Sequence, residues 1–288
     1  MFANLWGDSP CPVCASRDQV PLSARFMGRG GVAGLVQCKA CGYAQRSGLG
    51  EVDLHRIESD TLWREPSMSS KWLLARLPRS LRDRQDLAVL DVGCWEGDLL
   101  AGMPVGWRRV GVEPNGRAAA RARDRAIDIE VGVLEEAPVD SEAFDLVTMM
   151  DVLEHLPNPT RTLAAVAGAL RAGGLLMALT GNAEALSARW WGPRWYYFYY
   201  PDHVGVFTER SLRRSVGDAG LRPLAVRRVR HPMSGLGRDI RRAMARPGAL
   251  PRLSSGRFAR HVPVGVNIPT ATRLLRQADH LLLFAGKR

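Results

Sequence analysis

The chain from about residue 85 onward alternates short apolar runs with segments whose apolar residues recur at helical spacing. Runs bounded by turn residues predict strands, and the 3.6-residue period predicts helices between them. The predicted strands are 87–92, 108–112, 128–133, 144–149, 174–180, 222–230 and 280–286, and the predicted helices lie near 96–102, 115–126, 159–171 and 211–220. Strands that alternate with helices predict an α/β fold with a doubly wound, mostly parallel sheet of seven strands.

The remaining segments suggest how the chain divides. Residues 67–77 have apolar side chains at helical spacing and end at Pro78. Arginine and proline interrupt the pattern between 231 and 277, which indicates an insertion that is partly helical. We therefore expect a small module over 1–50, a helical linker over 51–82 and the main domain over 83–288.

Two C-x-x-C pairs give the N-terminal module its chemistry. They comprise Cys11 with Cys14 and Cys38 with Cys41, separated by a glycine-rich stretch over 28–31. Each pair can place two thiolates on one ion, so the four cysteines predict a closed, structural zinc site in a small zinc ribbon. The alternative is a disulfide pair or unrelated thiols. Five cysteines in a chain without a secretory signal make structural disulfides improbable.

The turn after the first predicted strand indicates a nucleoside ligand. Glycines at Gly93 and Gly97 allow close approach of the backbone, and Glu113, 20 residues after Gly93, can accept hydrogen bonds from two ribose hydroxyls. A dinucleotide turn needs glycine where this chain has Trp95, and the acidic residues of the turn would repel a pyrophosphate. A cationic ligand without phosphates, such as S-adenosylmethionine, suits the turn better.

The residues Asp91 to Gly97, D-V-G-C-W-E-G, resemble the first motif of class I S-adenosylmethionine-dependent methyltransferases, usually D-x-G-C-G-x-G. The segment 144–159 resembles the fourth-strand motif of the same family, particularly of the ubiquinone-type O-methyltransferases and natural-product enzymes. Segments 170–176 and 200–212 follow in the family's order. The resemblance implies a Rossmann-like fold and S-adenosylmethionine as cofactor. The cofactor-binding residues it implies are Asp91, Gly93, Cys94, Gly97, Glu113, Leu134, Asp151 and Val152.

Two departures from the family pattern concern cofactor geometry. Trp95 replaces a glycine, and we expect its ring to pack outward or over the methionine end of the cofactor. Val133 stands where family members often have an acid for the adenine amino group. Glu135 or backbone groups around Leu134 are the alternatives there.

Transfer to a hydroxyl or amine needs a base, and histidine is the usual one near neutral pH. His203, on the loop after the fifth predicted strand, is the preferred candidate, and His155 is the second. Each histidine also has a structural interpretation: His203 as a turn residue, and His155 as a residue that braces the loop.

The aromatic stretch 190–200 follows the fifth predicted strand, where crevices open in such sheets. It predicts acceptor contacts from Trp195, Tyr196, Tyr199 and Tyr200, although part of it must pack the core.

Charge and composition leave the acceptor open. The net charge of +11 comes almost entirely from arginine, and it concentrates after Arg210 rather than in the cysteine module. No apolar run reaches the length of a membrane span, and we expect a cytoplasmic protein. The favoured acceptor is a small molecule: a sugar, a nucleotide-linked sugar or a natural-product intermediate, methylated on oxygen or carbon. In its N-terminal cysteine module the chain resembles some deoxysugar C-methyltransferases, which have a zinc-binding module before the same domain.

Two other functions stay open. Some ribosomal RNA guanine methyltransferases resemble this chain in pairing a cysteine-rich zinc site with the same core, and a basic surface favours phosphate binding. The second alternative is a non-catalytic protein that retains the cofactor fold. The intact glycine turn and Glu113 argue against it.

Overall fold

A computed structural model describes residues 10–28, 31–47, 69–191, 195, 197, 203–231 and 278–288, of which 23–28, 31–34, 47, 190 and 191 are described by their backbone only. The strands are β1 Gln19–Gly28, β2 Gly31–Cys38, β3 Ala44–Ser47, β4 Ala88–Val92, β5 Arg108–Glu113, β6 Asp128–Val131, β7 Phe144–Met150, β8 Leu170–Gly181, β9 Gly205–Val206, β10 Arg222–Val229 and β11 His280–Gly286. The helices are α1 Ser70–Leu74, α2 Arg79–Arg82, α3 Asp98–Ala101, α4 Gly116–Arg123, α5 Pro159–Ala169, α6 Leu186–Trp191 and α7 Glu209–Asp218.

The main sheet has seven strands in the order β10-β11-β8-β7-β4-β5-β6. Strands β4, β5, β6, β7 and β8 pair in parallel, and β11 runs antiparallel to both of its neighbours. The predicted seven-stranded, mostly parallel α/β sheet is therefore confirmed. The chain moves outward from β4 in both directions, so a crevice opens at the carboxyl ends of β4 and β7.

Two apolar layers cover the two faces of this sheet. Successive strand residues alternate between them, as the period of two requires: Val89 packs in one layer and Leu90 in the other. Helices α5 and α7 cover the layer that contains Leu90, and α1, α3 and α4 cover the opposite one. Strand β7 is buried at six of its seven positions, as expected for a central parallel strand.

Local sequence signals set most of the helix ends. The side chain of Asn115 accepts hydrogen bonds at the start of α4, and that of Asn158 accepts one before Pro159 opens α5. Thr208 caps α7 in a reciprocal capping box with Ser211.

Two predicted elements differ from the structure. The predicted helix 67–77 is a single short helix, α1, followed after Pro78 by the separate turn α2, because proline disfavours the helical conformation of the residue before it. Strand β8 begins at Leu170 rather than at 174. Most of the expected linker and almost all of the expected insertion over 231–277 lie outside the described residues.

A second, smaller sheet joins the cysteine module to the main domain. Its four strands have the order β1-β2-β3-β9, and its last strand belongs to the main domain. Ala44 pairs with Val206 and Gln45 with Gly205, and the backbone N–H of Arg46 donates to the carbonyl of Val204. The cysteine module is therefore hydrogen-bonded to residues 204–206, which precede α7 in the main domain.

No helix within the described ranges is long and apolar enough to cross a lipid bilayer.

Candidate active site

The glycine turn at the end of β4 requires its glycines. Gly93 has a φ of +71°, and a Cβ there would lie 2.6 Å from Cγ2 of Val152. Gly97 has a φ of +73° and precedes α3 as its N-cap, and a Cβ there would lie 2.9 Å from Cδ1 of Ile127. Trp95 also adopts a left-handed conformation, with a φ of +50°. This backbone shape explains why related turns use glycine at the position of Trp95.

Glu113 ends β5 with its carboxylate fixed beside this turn. It is only 5% exposed. One of its oxygens accepts from the backbone N–H of Trp95 at 2.9 Å and the other accepts from that of Asn115 at 2.8 Å. Burial raises the pKa of Glu113, while these two N–H donors act in the opposite direction. Each oxygen has a second lone pair available for a ligand hydroxyl.

Asp91 lies beneath the turn, inside strand β4. Its Oδ1 accepts from the hydroxyl of Thr148 at 2.6 Å. Burial raises the pKa of Asp91 to about 7, and the nearby charge of Glu113 adds to the rise. Asp91 therefore braces β4 against β7 from below the crevice.

A cavity of about 250 Å³ opens above the turn. Five of the eight predicted cofactor residues line it, namely Gly93, Glu113, Leu134, Asp151 and Val152, together with Trp95, Glu135 and His155. The other three, Asp91, Cys94 and Gly97, do not line it. Cys94 instead points into the core, where its Sγ faces the backbone of Gly111. The predicted alternatives for the adenine position, Leu134 and Glu135, both lie in the cavity wall.

The cavity floor continues into a group of charged and imidazole side chains at the end of β7. Asp151 has a left-handed φ of +55°. Its Oδ2 lies 2.8 Å from Nε2 of His231, and its Oδ1 lies 3.7 Å from Nε2 of His280. Asp279 accepts at Oδ1 from the backbone N–H of His231 and also contacts Nδ1 of His280 at 3.0 Å.

Glu154 anchors the other side of this group and is 1% exposed. Its Oε2 accepts from the hydroxyl of Thr180 at 2.8 Å, and its Oε1 accepts from the hydroxyl of Tyr197. The same Tyr197 oxygen accepts from the backbone N–H of Gly181 at 2.8 Å. These bonds tie the aromatic loop to the end of β8.

His203 lies behind His155, and their ring centroids are 4.8 Å apart. Its Nδ1 is 2.8 Å from the carbonyl oxygen of Tyr197. Because a carbonyl only accepts, Nδ1 bears the proton, and in the neutral ring Nε2 has the lone pair. Burial lowers the pKa of His203 well below its usual value, and the neighbouring His155 acts in the same direction. Burial therefore favours the neutral form of the His203 imidazole.

The four predicted acceptor residues divide between described and undescribed parts of the chain. Tyr196, Tyr199 and Tyr200 lie outside the described residues. Trp195 is fully buried and stacks on Tyr197 with ring centroids 4.8 Å apart. It packs with Leu35 and Val206, where the module meets the main domain. The structure therefore places Trp195 in the core behind the site.

Sequence reasoning missed four polar residues of the site: Tyr197, His231, Asp279 and His280. Tyr197 is one of four tyrosines in a single aromatic run, and nothing local distinguishes it. His231 and His280 lie on either side of a long segment and meet only through the antiparallel pairing of β10 with β11. The sequence feature that indicates a site here is His280, a polar residue at the start of an otherwise apolar strand.

The four N-terminal cysteines lie together, with all four Sγ atoms within 4.8 Å of one another. Cys11 and Cys41 are 3.6 Å apart at Sγ, and Cys14 and Cys38 are 3.5 Å apart. A tetrahedral zinc–thiolate site with bonds of about 2.3 Å requires sulfur separations of about 3.8 Å, so the cluster fits that geometry.

The two cysteine turns are built alike. In each, the N–H of the first cysteine donates to the carbonyl five residues later, that of Ser16 or Tyr43. The residue after the second cysteine, Ala15 or Gly42, donates back to the carbonyl of the first and has a positive φ.

A mostly parallel sheet in this strand order, with a carboxylate beside a glycine turn, is the architecture typical of nucleoside-binding α/β proteins. Residues 65–226 match the profile of a family described as a methyltransferase domain. This match covers more than half of the chain. The chain therefore belongs to the methyltransferase domain family and has the fold of the class I S-adenosylmethionine-dependent methyltransferases.

Curated relatives agree with this assignment at the level of the family. A ubiquinone biosynthesis O-methyltransferase from Agrobacterium fabrum is 33% identical over 123 residues, which are 40% of this chain and 48% of the relative. One from Thiobacillus denitrificans is 34% identical over 139 residues, 43% of this chain and 60% of the relative. The chain thus spans about half the length of the curated relatives it matches.

Solved structures share the fold. A geranyl diphosphate C-methyltransferase from Streptomyces coelicolor has a TM-score of 0.53 at 16% identity, over 76% of each chain. A chain from the complex of the Haloferax volcanii Trm112 methyltransferase activator with a methyltransferase has a TM-score of 0.53 at 18% identity, over 76% of this chain and 88% of that one.

Proposed function

We propose that this protein transfers the methyl group of S-adenosylmethionine to a hydroxyl oxygen of a small molecule. The observation that supports this most directly is the pair His155 and His203 at the edge of the cofactor cavity. His155 lines the cavity, and His203 lies behind it with its Nδ1 fixed 2.8 Å from the carbonyl oxygen of Tyr197. The names of the curated relatives, which are O-methyltransferases, favour oxygen over carbon as the acceptor atom.

The chain's own residues would bind and orient the cofactor. Bound S-adenosylmethionine supplies a methyl group on a positively charged sulfur. The carboxylate of Glu113 would accept from the ribose hydroxyls, and Leu134 would contact the adenine. Trp95, Asp151 and Val152 would line the methionine end. The acidic wall suits a cation, and the apolar wall excludes water from the reacting atoms.

Proton removal is the step that a histidine would assist. An imidazole nitrogen of the chain would accept the proton of the acceptor hydroxyl as the hydroxyl oxygen takes the methyl group that bound S-adenosylmethionine supplies, with the carbon–sulfur electron pair left on sulfur. His203 fits this role because its Nδ1–H is fixed on the carbonyl of Tyr197, which leaves Nε2 as the basic atom. His155, which lines the cavity, would relay or orient the acceptor hydroxyl.

We propose that the acceptor is a sugar, a nucleotide-linked sugar or a natural-product intermediate that bears a hydroxyl.

We further propose that the four cysteines bind one structural zinc ion. The contact between Thr208 Oγ1 and the carbonyl of Cys41, at 3.1 Å, connects that site to the loop of His203.

Two measurements test the proposal. Calorimetry should show one S-adenosylmethionine bound per chain, and a folded, zinc-loaded protein that fails to bind it contradicts the cofactor assignment. A screen of hydroxylated acceptors with methyl-labelled cofactor should then give a product labelled on oxygen. A product labelled only on carbon contradicts the O-methylation proposal.

The RNA alternative has its own test. Binding dominated by phosphate contacts falls steeply as salt rises. We expect no appreciable affinity for structured RNA at low salt, whereas tight, salt-sensitive binding together with RNA methylation would replace the small-molecule proposal.

A further inference from the structure

We propose that Asp151, His231 and His280 form a binding site for a divalent transition-metal ion, distinct from the four-cysteine cluster. Each contributes one ligand atom, and these atoms all lie within 4.8 Å of one another. Two imidazole nitrogens and one carboxylate, on one side of an ion, form the facial arrangement that binds first-row transition metals while leaving positions open. The site itself rests only on this geometry. Its role in catalysis, described below, rests on the proposed function.

His280 is already oriented as a metal ligand. Its Nδ1 contacts Oδ1 of Asp279 at 3.0 Å, and that carboxylate can only accept the ring N–H when it is ionised. The proton on Nδ1 leaves Nε2, the atom that faces Asp151, with its lone pair. Metal-binding histidines almost always have such a partner on the second nitrogen, which fixes the tautomer and the ring orientation.

Asp279 also fixes the position of His231. The same Oδ1 accepts from the backbone N–H of His231 at 3.0 Å, so one carboxylate positions both imidazoles. The two rings lie 4.6 Å apart between centroids. Both bring Nε2 toward the carboxylate of Asp151.

Asp151 supplies the third ligand from a strained backbone. Its φ of +55° is uncommon for a residue other than glycine, and such conformations concentrate at functional sites. Its Oδ1 is shielded from solvent and has no hydrogen-bond partner among the described residues. His280 Nε2, at 3.7 Å, is too distant to hydrogen-bond it. An ion between Oδ1 and the two Nε2 atoms would satisfy this buried oxygen.

The donor set determines which ions fit. The two imidazole nitrogens suit iron, nickel and zinc ions, and the carboxylate also suits manganese, whereas magnesium and calcium prefer sites made only of oxygen ligands. Three protein ligands leave at least one coordination position for a ligand oxygen. The site would therefore accept a hydroxyl or phenolate oxygen of the acceptor.

The location gives this ion a specific task in the proposed reaction. Asp151 lines the cofactor cavity, so an acceptor oxygen held by the ion would lie at the edge of this cavity. An ion at this site would favour the ionised form of a bound hydroxyl, and an imidazole of the His155 and His203 pair would accept the proton. The ionised oxygen would then take the methyl group that bound S-adenosylmethionine supplies, and the carbon–sulfur electron pair would remain on sulfur in S-adenosylhomocysteine.

The test measures binding of Mn²⁺ alone, because this ion has an electron paramagnetic resonance signal that changes on binding. The full-length protein is first loaded with zinc and dialysed against a weak chelator, and its zinc content is measured. We expect one Mn²⁺ per chain in addition to the zinc, with much weaker binding of Mg²⁺. The variant Asp279→Asn should lower Mn²⁺ affinity by about 10–100-fold. His280→Ala and His231→Ala should lower it at least as much.

The matched control is Asp218→Asn, which removes an exposed carboxylate on α7, outside the triad, and should leave Mn²⁺ affinity unchanged. S-adenosylmethionine binding to each variant confirms that the fold is intact. If Mn²⁺ does not bind, or binds equally well to the Asp279, His280 and His231 variants, the site does not exist. A protein that binds Mn²⁺ but not S-adenosylmethionine would refute the proposed function and leave the metal site standing.

Discussion

At the scale of single residues, the site is made of side chains that are held in one place by backbone groups. The Glu113 carboxylate accepts hydrogen bonds from two backbone N–H groups, and the His203 ring donates one to a backbone carbonyl. Backbone partners cannot change rotamer, so these functional atoms are ordered before any ligand binds. Such preorganisation lowers the entropic cost of ligand binding.

Glu113→Ala should weaken S-adenosylmethionine binding by roughly 10–100-fold, because hydrogen bonds to a charged group contribute about 1.5–3 kcal/mol. Calorimetry measures the change directly. The control is Glu96→Gln, since Glu96 belongs to the same turn but pairs with Arg121 instead of lining the cavity. Equal losses in both variants would mean that general acidity of the turn, rather than the Glu113 carboxylate, binds the cofactor.

His203→Asn should lower kcat by about 10²–10⁴-fold, which is the usual contribution of a general base. The asparagine amide retains a donor for the carbonyl of Tyr197 but lacks the basic Nε2. Cofactor affinity should stay within about threefold of the wild-type value, as measured by calorimetry. A variant with normal kcat would show that His203 has only a structural role.

The buried carboxyl of Asp91 should make stability depend on pH. Its folded pKa, raised to about 7, lies above the unfolded value. The stabilisation is therefore fully present below the unfolded pKa and is lost as pH rises through about 7. Asp91→Asn keeps an acceptor for Thr148 and removes this loss.

Urea unfolding at pH 5.5 and 8.5 measures the effect. Relative to Asp91→Asn, the wild-type protein should lose roughly 1–3 kcal/mol of unfolding free energy over this range, at about 1.36 kcal/mol per pKa unit. Asp124→Asn, at an exposed carboxylate, is the control. Parallel pH profiles for wild type and Asp91→Asn would contradict the raised pKa.

At the scale of elements, strand β9 is short but joins two parts of the fold. It extends the sheet of the cysteine module and lies two residues after His203. The module therefore acts as a support for the loop that holds the candidate base. A periodicity argument cannot find a strand of two residues, because two positions do not define a period.

Gly205→Ala should disrupt this junction. A Cβ at Gly205 would lie 1.7 Å from the hydroxyl oxygen of the buried Tyr43, so the two strands must separate. We expect a loss of about 1–3 kcal/mol in unfolding free energy, which is typical of overpacking. The control is Gly217→Ala in α7, where a Cβ meets nothing within 4 Å. That change should stabilise the protein by up to about 1 kcal/mol.

At the scale of the whole molecule, the cofactor crevice and the cysteine cluster lie on different sheets but share one loop. Arg46 and Thr208 form hydrogen bonds across the junction, and Tyr43 packs edge-on against Phe207 at 4.9 Å. Glu113 and the glycine turn belong to the other sheet. Loss of the proposed zinc ion from the four cysteines should therefore affect catalysis more than cofactor binding.

Cys14→Ser should release the zinc, loosen the module and lower kcat at least tenfold, while S-adenosylmethionine affinity changes by less than about threefold. Elemental analysis measures the zinc, and calorimetry measures the cofactor. Cys94→Ala, at the cysteine outside the cluster, should retain the zinc. Full turnover by a zinc-free Cys14→Ser protein would mean that the module does not support the loop.

The sequence by itself determined the seven strands, the glycine turn, Glu113 and the two cysteine pairs. These features are local: a period of two or 3.6, a positive φ at glycine and a C-x-x-C spacing each involve only neighbouring residues. The position of Glu113 could be predicted from the sequence because β4 and β5 are adjacent in the sheet and close together along the chain.

Only the tertiary structure decided which distant side chains meet. His231 and His280 approach Asp151 because β11 inserts between β8 and β10. Tyr197 reaches Glu154 across a loop, and Trp195 is buried by the module. Contacts of this kind depend on strand order and on the path of loops. Many sequences with the same local pattern can differ in both, so periodicity alone does not specify them.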